Sequence, residues 1–292
     1  MSPMNAMEKT EVLGSWMAHR SAGESGPLVV FLHGNPTSSH LWRNVLPHVS
    51  DQARCLAPDL IGMGASGKSD IGYRFADHAR YLDAWMEKVV GDGEVVLVGH
   101  DWGGALAQDW AARHGDGRVA GIALIETFLR PMRWAQMVPQ AAEMFRAFRT
   151  SGVGERMVLD DNLFIERNLR RLVPGISEQD LDAYRAPYPD AASRLPMLQW
   201  ARELPLDGEP ADVVDRMVAY GTWMGRSPEV PKLLMTVDPA QGLASSEIIA
   251  WARENMSALR IEQVGEAGHH APEQVPDAIG QAVARWLKEE IG

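Results

Sequence analysis

The sequence predicts an α/β protein: a mostly parallel sheet flanked by helices, with a helical segment inserted late in the chain. Three observations carry this. Short, nearly continuous apolar runs of β type alternate with helix-like stretches, the pattern of parallel strands buried on both faces. The alternation stops between roughly residues 131 and 231 and then resumes; about a hundred residues without a strand are too long for a loop. One apolar run ends in Gly99-His100-Asp101-Trp102-Gly103-Gly104, whose glycines suit a tight turn from strand into helix.

Taken in order, residues 11–18 alternate apolar and polar and are expected at an antiparallel edge. Runs at 27–33, 54–58, 94–99, 119–125, 232–237 and 259–264 read as buried strands, and stretches at 78–90, 105–114 and 276–290 as helices. The segment 131–230 is rich in Met, Trp, Phe and Arg and punctuated by Gly152, Pro174, Pro187, Pro189 and Pro205. It reads as a helical cap over the carboxyl edge of the sheet, where open α/β folds bind ligands. The expected organisation is therefore a core of residues 1–130 and 231–292 with a cap of 131–230. Most of the cap's Met and aromatic residues are expected to pack its own core, and a minority to line a pocket.

Composition narrows the function. A chain of 292 residues holds one large domain with an insertion. Its formal net charge of -11 is scattered, which argues for a soluble protein and against binding nucleic acid or an anionic membrane. The lone cysteine, Cys55, lies in the apolar stretch Arg54-Cys55-Leu56-Ala57-Pro58 and reads as a buried structural thiol. Residues 1–10 lack an apolar signal core and no stretch is long enough to span a bilayer, so a cytoplasmic location is expected.

The chemistry centres on Asp101. It occupies the nucleophile position of a strand–nucleophile–helix turn, where serine is the common occupant. A carboxylate suits displacement at saturated carbon, giving an ester that water later cleaves. The plainer alternative is an aspartate capping the helix that follows. Directly after an apolar strand comes His33-Gly34-Asn35-Pro36. Its Asn35 and, after the nucleophile, Trp102 are placed to offer backbone N–H groups to an oxyanion. Their amide and indole N–H groups also suit the cradling of a leaving anion. Glu126 ends the run Gly121-Ile122-Ala123-Leu124-Ile125, where a carboxylate needs a partner. The order nucleophile, acid, histidine lets it orient a base. Asp238 competes for that role but stands before Pro239 and reads better as a turn residue. Gly268-His269-His270-Ala271 supplies the base, and spacing alone allows either histidine. His33, His78, His100 and His114 have ready structural roles. No Cys/His cluster with metal spacing appears, so neither metal nor cofactor is expected.

These segments, together with Thr37-Ser38-Ser39, Leu41-Trp42-Arg43-Asn44, Pro58-Asp59-Leu60-Ile61-Gly62-Met63-Gly64, Arg130-Pro131, Glu203-Leu204-Pro205 and Gly208-Glu209-Pro210-Ala211, span nearly the whole chain. The combination resembles the haloalkane dehalogenases of the α/β-hydrolase superfamily, in the subfamily that pairs asparagine with tryptophan for halide and takes its acid after the sixth strand. The resemblance implies an eight-stranded sheet with nucleophile Asp101, acid Glu126, base His269 and halide-binding Asn35 and Trp102. The family's base is followed by an aromatic residue, which aligns His270 with that neighbour. It further implies hydrolysis of haloalkanes to alcohol, halide and proton through an alkyl ester on Asp101. The partners would be a small halogenated substrate, halide and water; a monomer or weak homodimer is expected.

The chain departs from the family at Ala271-Pro272-Glu273-Gln274 and in a shortened stretch Met132-Arg133-Trp134-Ala135-Gln136-Met137 near the expected tunnel mouth. Trp134, Phe145, Phe148, Phe164 and Leu243 are candidate tunnel residues. Epoxide hydrolysis is the nearest rival. It requires phenols to protonate an alkoxide, with Tyr184, Tyr188 and Tyr220 as candidates, and it commonly has an aromatic residue where Asn35 stands. A coelenterazine-type luciferase or a binding protein on the same fold are further alternatives. The presence of all five site residues favours the hydrolase.

Overall fold

The computed structural model describes residues 7–115, 117–240 and 242–292; the expectation about residues 1–10 falls largely on residues 1–6, outside the described residues. Eight strands form one sheet: β1 (Glu8–Val12), β2 (Ser15–Ala22), β3 (Leu28–Leu32), β4 (Arg54–Pro58), β5 (Val95–Asp101), β6 (Val119–Thr127), β7 (Lys232–Asp238) and β8 (Leu259–Glu266). Their spatial order is β1-β2-β4-β3-β5-β6-β7-β8. β2 pairs antiparallel with β1 and β4, and every other pairing is parallel. The fold class read from the sequence is the one observed.

One sequence expectation needs refinement. Residues 11–18 are not a single edge strand but the hairpin joining β1 to β2, with Val12 opposite Ser15. Leu13 and Gly14 both have positive φ, 48° and 76°, the backbone of a two-residue turn that matches strand twist. The usual Asn-Gly or Asp-Gly signal is absent, so the alternation runs through the turn unmarked.

The continuous apolar runs are explained by burial on both faces. On β3, Val29 and Phe31 face one layer and Val30 and Leu32 the other; on β5, Val96 and Val98 join the first layer and Val95 and Leu97 the second. The first layer is closed by Trp42, Leu46 and the helix Pro276–Trp286, the second by the helices Phe75–Val89 and Trp102–His114 with Trp85 and Trp110. Each large apolar side chain fully buried here contributes roughly 1.5–3 kcal/mol. Cys55 lies in the first layer, and burial pushes its thiol up to about 12.

Between β6 and β7 the chain is helical. The helices Pro139–Arg149, Glu178–Arg185 and Leu195–Arg202 share a separate apolar core that includes Phe148, Phe164, Ile165, Leu181, Tyr184 and Met197. Phe148 and Phe164 belong to this core; Trp134 and Leu243 are partly buried against the second sheet layer, and Phe145 is partly buried against both. The two legs of the insertion meet at its neck: Met132 N–H donates to the Pro205 carbonyl at 3.0 Å, and Asp207 N–H to the Met132 carbonyl at 3.0 Å. The following helix, Ala211–Arg226, returns to the second layer through Val213, Met217, Tyr220 and Met224. Among the described residues, no helix is long and apolar enough to cross a membrane.

The close approach of β5 to the helix Trp102–His114 gives the first prediction. A Cβ added at Gly99 would lie 2.4 Å from the Gly104 Cα, a contact between two pieces of backbone that cannot swing aside. Gly99→Ala is expected to lower unfolding free energy by at least about 2 kcal/mol, read from urea denaturation against the parent protein.

Candidate active site

β5 ends at Asp101 and the next residue opens a helix, with no loop between them. Asp101 takes φ 52° and ψ -129°, a conformation that non-glycine residues hold only when their surroundings enforce it. Its surroundings do so. A Cβ at Gly103 would lie 2.2 Å from the Leu32 carbonyl oxygen, and one at Gly104 2.3 Å from Thr127 Oγ1. Thr127 in turn donates its hydroxyl to the Asp101 carbonyl at 2.6 Å. Nothing in the sequence marks Thr127 beyond its place after Glu126.

The turn aims the Asp101 carboxylate at three other elements. The loop after β3 lies against it so tightly that a Cβ on Gly34 would stand 2.1 Å from Oδ1. Without that side chain, the Asn35 backbone N–H donates to Oδ1 at 2.8 Å. From the loop after β8, His269 Nε2 lies 3.3 Å from Asp101 Oδ2. The other ring nitrogen, Nδ1, lies 3.4 Å from Glu126 Oε2. Glu126 is almost fully buried near the end of β6 and also accepts from the backbone N–H groups of Leu243 (3.4 Å) and Ala244 (3.2 Å). Asp238, the competing acid, lies exposed at the end of β7. The structure thus sets the imidazole of His269, not that of His270, between two carboxylates.

Electrostatics follow from this array. Burial alone would push the Asp101 carboxyl up, but the hydrogen bond and charge of His269, helped by the Trp102 backbone N–H, hold it below its ordinary value. Burial opposes charge on His269 as well. Hydrogen bonds and charges from Asp101 and Glu126 outweigh it and raise the ring to about 10. Free of substrate, the site is therefore a carboxylate–imidazolium–carboxylate chain. His270 and His100 have no such partner: burial and the neighbouring imidazoles push both down, His100 to about 3.

His100 has a different task. Its Nε2–H donates to the His269 backbone carbonyl at 2.7 Å and holds the base loop from below. The ligand atoms of His100, His269 and His270 lie within 4.8 Å of one another, near enough to invite comparison with a metal site. However, both His269 nitrogens face carboxylates and His100 Nε2 is spent as a donor, so the cluster is organised for protons.

Trp102 and Asn35 lie as the sequence suggests, with one qualification. The Trp102 ring is wedged by Phe75 and Phe128 and stacked at 4.6 Å on Trp200, itself stacked at 4.2 Å on His78. Its indole N–H has no protein acceptor among the described residues. Asn35 commits one amide N–H to the Met197 carbonyl of the insertion at 3.3 Å, leaving the second free. Two of the three candidate phenols are used elsewhere, and the third, Tyr188, has a buried hydroxyl without a hydrogen-bond partner among the described residues. Tyr184 donates to Glu273, Tyr220 donates to the Phe128 carbonyl at 2.6 Å, and Tyr188 is buried with its ring under the Lys68 ammonium at 4.4 Å.

Comparison with known proteins bears on the same features. Residues 27–211 match the family model of the alpha/beta hydrolase fold. A haloalkane dehalogenase of Mesorhizobium japonicum is 47% identical over 286 residues, covering 96% of this chain and 90% of that protein. One of Sphingobium indicum is 41% identical over 292 residues, covering 98% and 96%. Among solved structures, a putative ancestral haloalkane dehalogenase superposes with a TM-score of 0.92 at 47% identity, covering 97% of this chain and 98% of the other. That of a haloalkane dehalogenase from Bradyrhizobium elkani gives 0.92 at 44% identity and 97% coverage of each.

The charge on His269 is directly measurable. Its ring value of about 10 lies above the unperturbed 6.5, so the ring link stabilises the fold fully below about pH 6.5 and is lost as pH rises through about 10. Nitrogen-15 NMR is expected to show a doubly protonated His269 ring at about pH 8 in the free protein. Asp101→Asn should bring that ring's titration down sharply. A neutral ring at that pH in the parent protein contradicts the array.

Proposed function

The chain belongs to the haloalkane dehalogenases of the α/β-hydrolase superfamily, and from that membership we propose how its residues hydrolyse the carbon–halogen bond of a haloalkane. The observation that carries the reading is the array Asp101–His269–Glu126, a carboxylate kept ionised in a strained turn with an imidazole 3.3 Å away.

In the first step a carboxylate oxygen of Asp101 attacks the halogen-bearing carbon in line. The carbon–halogen bond breaks, its electron pair leaves with the halide, and an alkyl ester forms on Asp101. Halide needs no proton to depart. The indole N–H of Trp102 and the free amide N–H of Asn35 stabilise the charge that develops on it. In the second step His269, oriented by Glu126, takes a proton from water, and the resulting hydroxide adds to the Asp101 carboxyl carbon. The backbone N–H groups of Asn35 and Trp102 hold the tetrahedral oxyanion. Its collapse expels the alkoxide, which takes the proton that His269 accepted from water. The carboxylic acid left on Asp101 passes its proton to the ring and restores the resting array. With the proton the ring gave up before hydrolysis, the balance is haloalkane plus water to alcohol, halide and one proton.

The two steps make opposite demands on His269, and the array meets both. While Asp101 is ionised, the ring is held protonated and cannot act as a base. Alkylation turns Asp101 into a neutral ester and removes one of the two carboxylates that raise the ring. The ring can then release its proton and accept one from water. On this reading, residues 131–230 act as the cap over the site. The enzyme needs only substrate, water and released halide as partners, and works as a monomer or weak dimer in the reducing cytoplasm, to which its single buried thiol is suited.

Halide release from 1,2-dibromoethane is expected in the parent protein and should fall by at least roughly 10⁴-fold in Asp101→Ala. In His269→Phe, mass spectrometry after exposure to 1-bromobutane should show one butyl group on Asp101 and no turnover; an unmodified Asp101 removes the covalent route. A pH series gives an independent check. Single-turnover alkylation should stay flat from about pH 6 to pH 9, because Asp101 is ionised throughout, whereas ester hydrolysis should slow toward acid as the imidazole in the ester form is protonated.

A further inference from the structure

The turn that carries His269 is closed by groups the mechanism above does not use. Glu273 sits four residues after the base on the short helical turn Ala271–Gln274, and its side chain is only 3% exposed. A carboxylate buried this deeply requires partners, and it has two. Arg43 approaches in a fork, one N–H to Oε1 at 2.6 Å and one to Oε2 at 2.8 Å. Tyr184, fully buried on the insertion helix Glu178–Arg185, donates its hydroxyl to Oε1. Burial beside Glu273 raises this phenol well above its ordinary value, so it stays a donor.

The two anchors come from different parts of the molecule. Arg43 follows the helical turn Ser39–Trp42 of the sheet core, and it also reaches Asp180 Oδ1 at 2.9 Å on the insertion helix. His40 meets the same Asp180 oxygen at 2.9 Å and lays its ring edge-on to Tyr184. On its other side the base turn is tied to itself, with Gly268 N–H donating to Gln274 Oε1 at 2.7 Å and Glu273 N–H to the His270 carbonyl at 3.0 Å. The insertion therefore touches the base loop through a buried carboxylate that a core arginine holds in place. By contrast, the Arg74–Glu203 pair also joins core to insertion but contacts no residue of the base loop.

We propose that Glu273 is a positioning residue for the second step: clamped by Arg43 and Tyr184, it fixes the ring of His269 against the Asp101 ester and makes ester hydrolysis depend on the seating of the helical insertion. This rests on His269 acting as the base. Alkylation uses His269 only as a charge beside Asp101 and not as a base, so it is far less sensitive to the clamp. A misplacement of the base by a fraction of an ångström slows only the step that uses it.

Tyr184→Phe removes one hydroxyl and keeps the packing, so it is the primary variant, with Glu273→Gln, Glu273→Asp and Arg43→Lys beside it. Rapid-quench kinetics with 1,2-dibromoethane read alkylation as the halide burst and hydrolysis as the steady rate, while mass spectrometry counts alkylated Asp101. Tyr184→Phe is expected to alkylate within about twofold of the parent, to hydrolyse about tenfold more slowly, and to accumulate the ester. Glu273→Gln should do so more strongly, with Glu273→Asp partly restoring the rate. Equal slowing of both steps in Tyr184→Phe, or an unchanged hydrolysis rate, overturns the clamp. Failure of His269→Phe to trap any ester overturns instead the reading on which the clamp rests.

Discussion

A buried carboxylate that must remain ionised constrains everything near Asp101. Removing such a charge from water is costly unless donors and an opposite charge replace its hydration. Here the replacement is the Asn35 backbone N–H on one oxygen and the His269 imidazolium on the other. The first arrives because Gly34 leaves no side chain between the loop after β3 and the carboxylate, and Gly103 and Gly104 let the helix start against β3 and β6. The strained backbone of Asp101 is the conformation in which all of these contacts are met at once. Strain, burial and charge are therefore one arrangement, and relaxing any of them would free the carboxylate to turn toward a better-solvated rotamer.

Much of this was legible in the sequence, and for physical reasons. Parallel strands buried on both faces produce continuous apolar runs, so β3 to β8 could be placed to within two residues at each end. The first hairpin was hidden because Leu13 and Gly14 turn without the Asn or Asp that normally advertises positive φ. In the site, glycines around Asp101 and a carboxylate closing an apolar strand were visible as types out of place. The geometry then brings Asp101, Glu126, His269, Asn35 and Trp102 together. Backbone donors were not visible: the N–H groups of Leu243 and Ala244 reach Glu126 from a loop with no pattern of its own. The choice of His269 over His270 came from the family resemblance and not from spacing, because it depends on which ring swings toward two carboxylates. Spacing along the chain carries no such information.

The acid illustrates why position after β6 works. Glu126 adopts φ 43° near the end of β6, and its carboxylate meets the Leu243 and Ala244 N–H groups and the His269 ring. There it is shielded from solvent and bound by two backbone donors as well as the ring, none of which involves Asp101. That permanence matters to the proposed two-step chemistry. One carboxylate partner of His269 is consumed in the first step, and the other must still orient the ring in the second.

The same charges constrain how the leaving group is held. At rest the array carries two negative carboxylates and one positive ring. Attack moves one negative charge from Asp101 to the halide without removing it from the site, so a halide lodged beside Trp102 would go on favouring the protonated ring. On the proposed reading His269 becomes a base once its proton has gone, and departure of the halide favours that loss. A cradle that gripped the halide strongly would therefore quicken the first step and stall the second. The cradle proposed here offers one indole N–H, on a ring stacked against Trp200, and one amide N–H of an asparagine whose other amide N–H is committed to the Met197 carbonyl. That commitment also fixes the Asn35 side chain to the helical insertion. On the proposed reading, halide is thereby held by a group that the sheet core and the insertion position together.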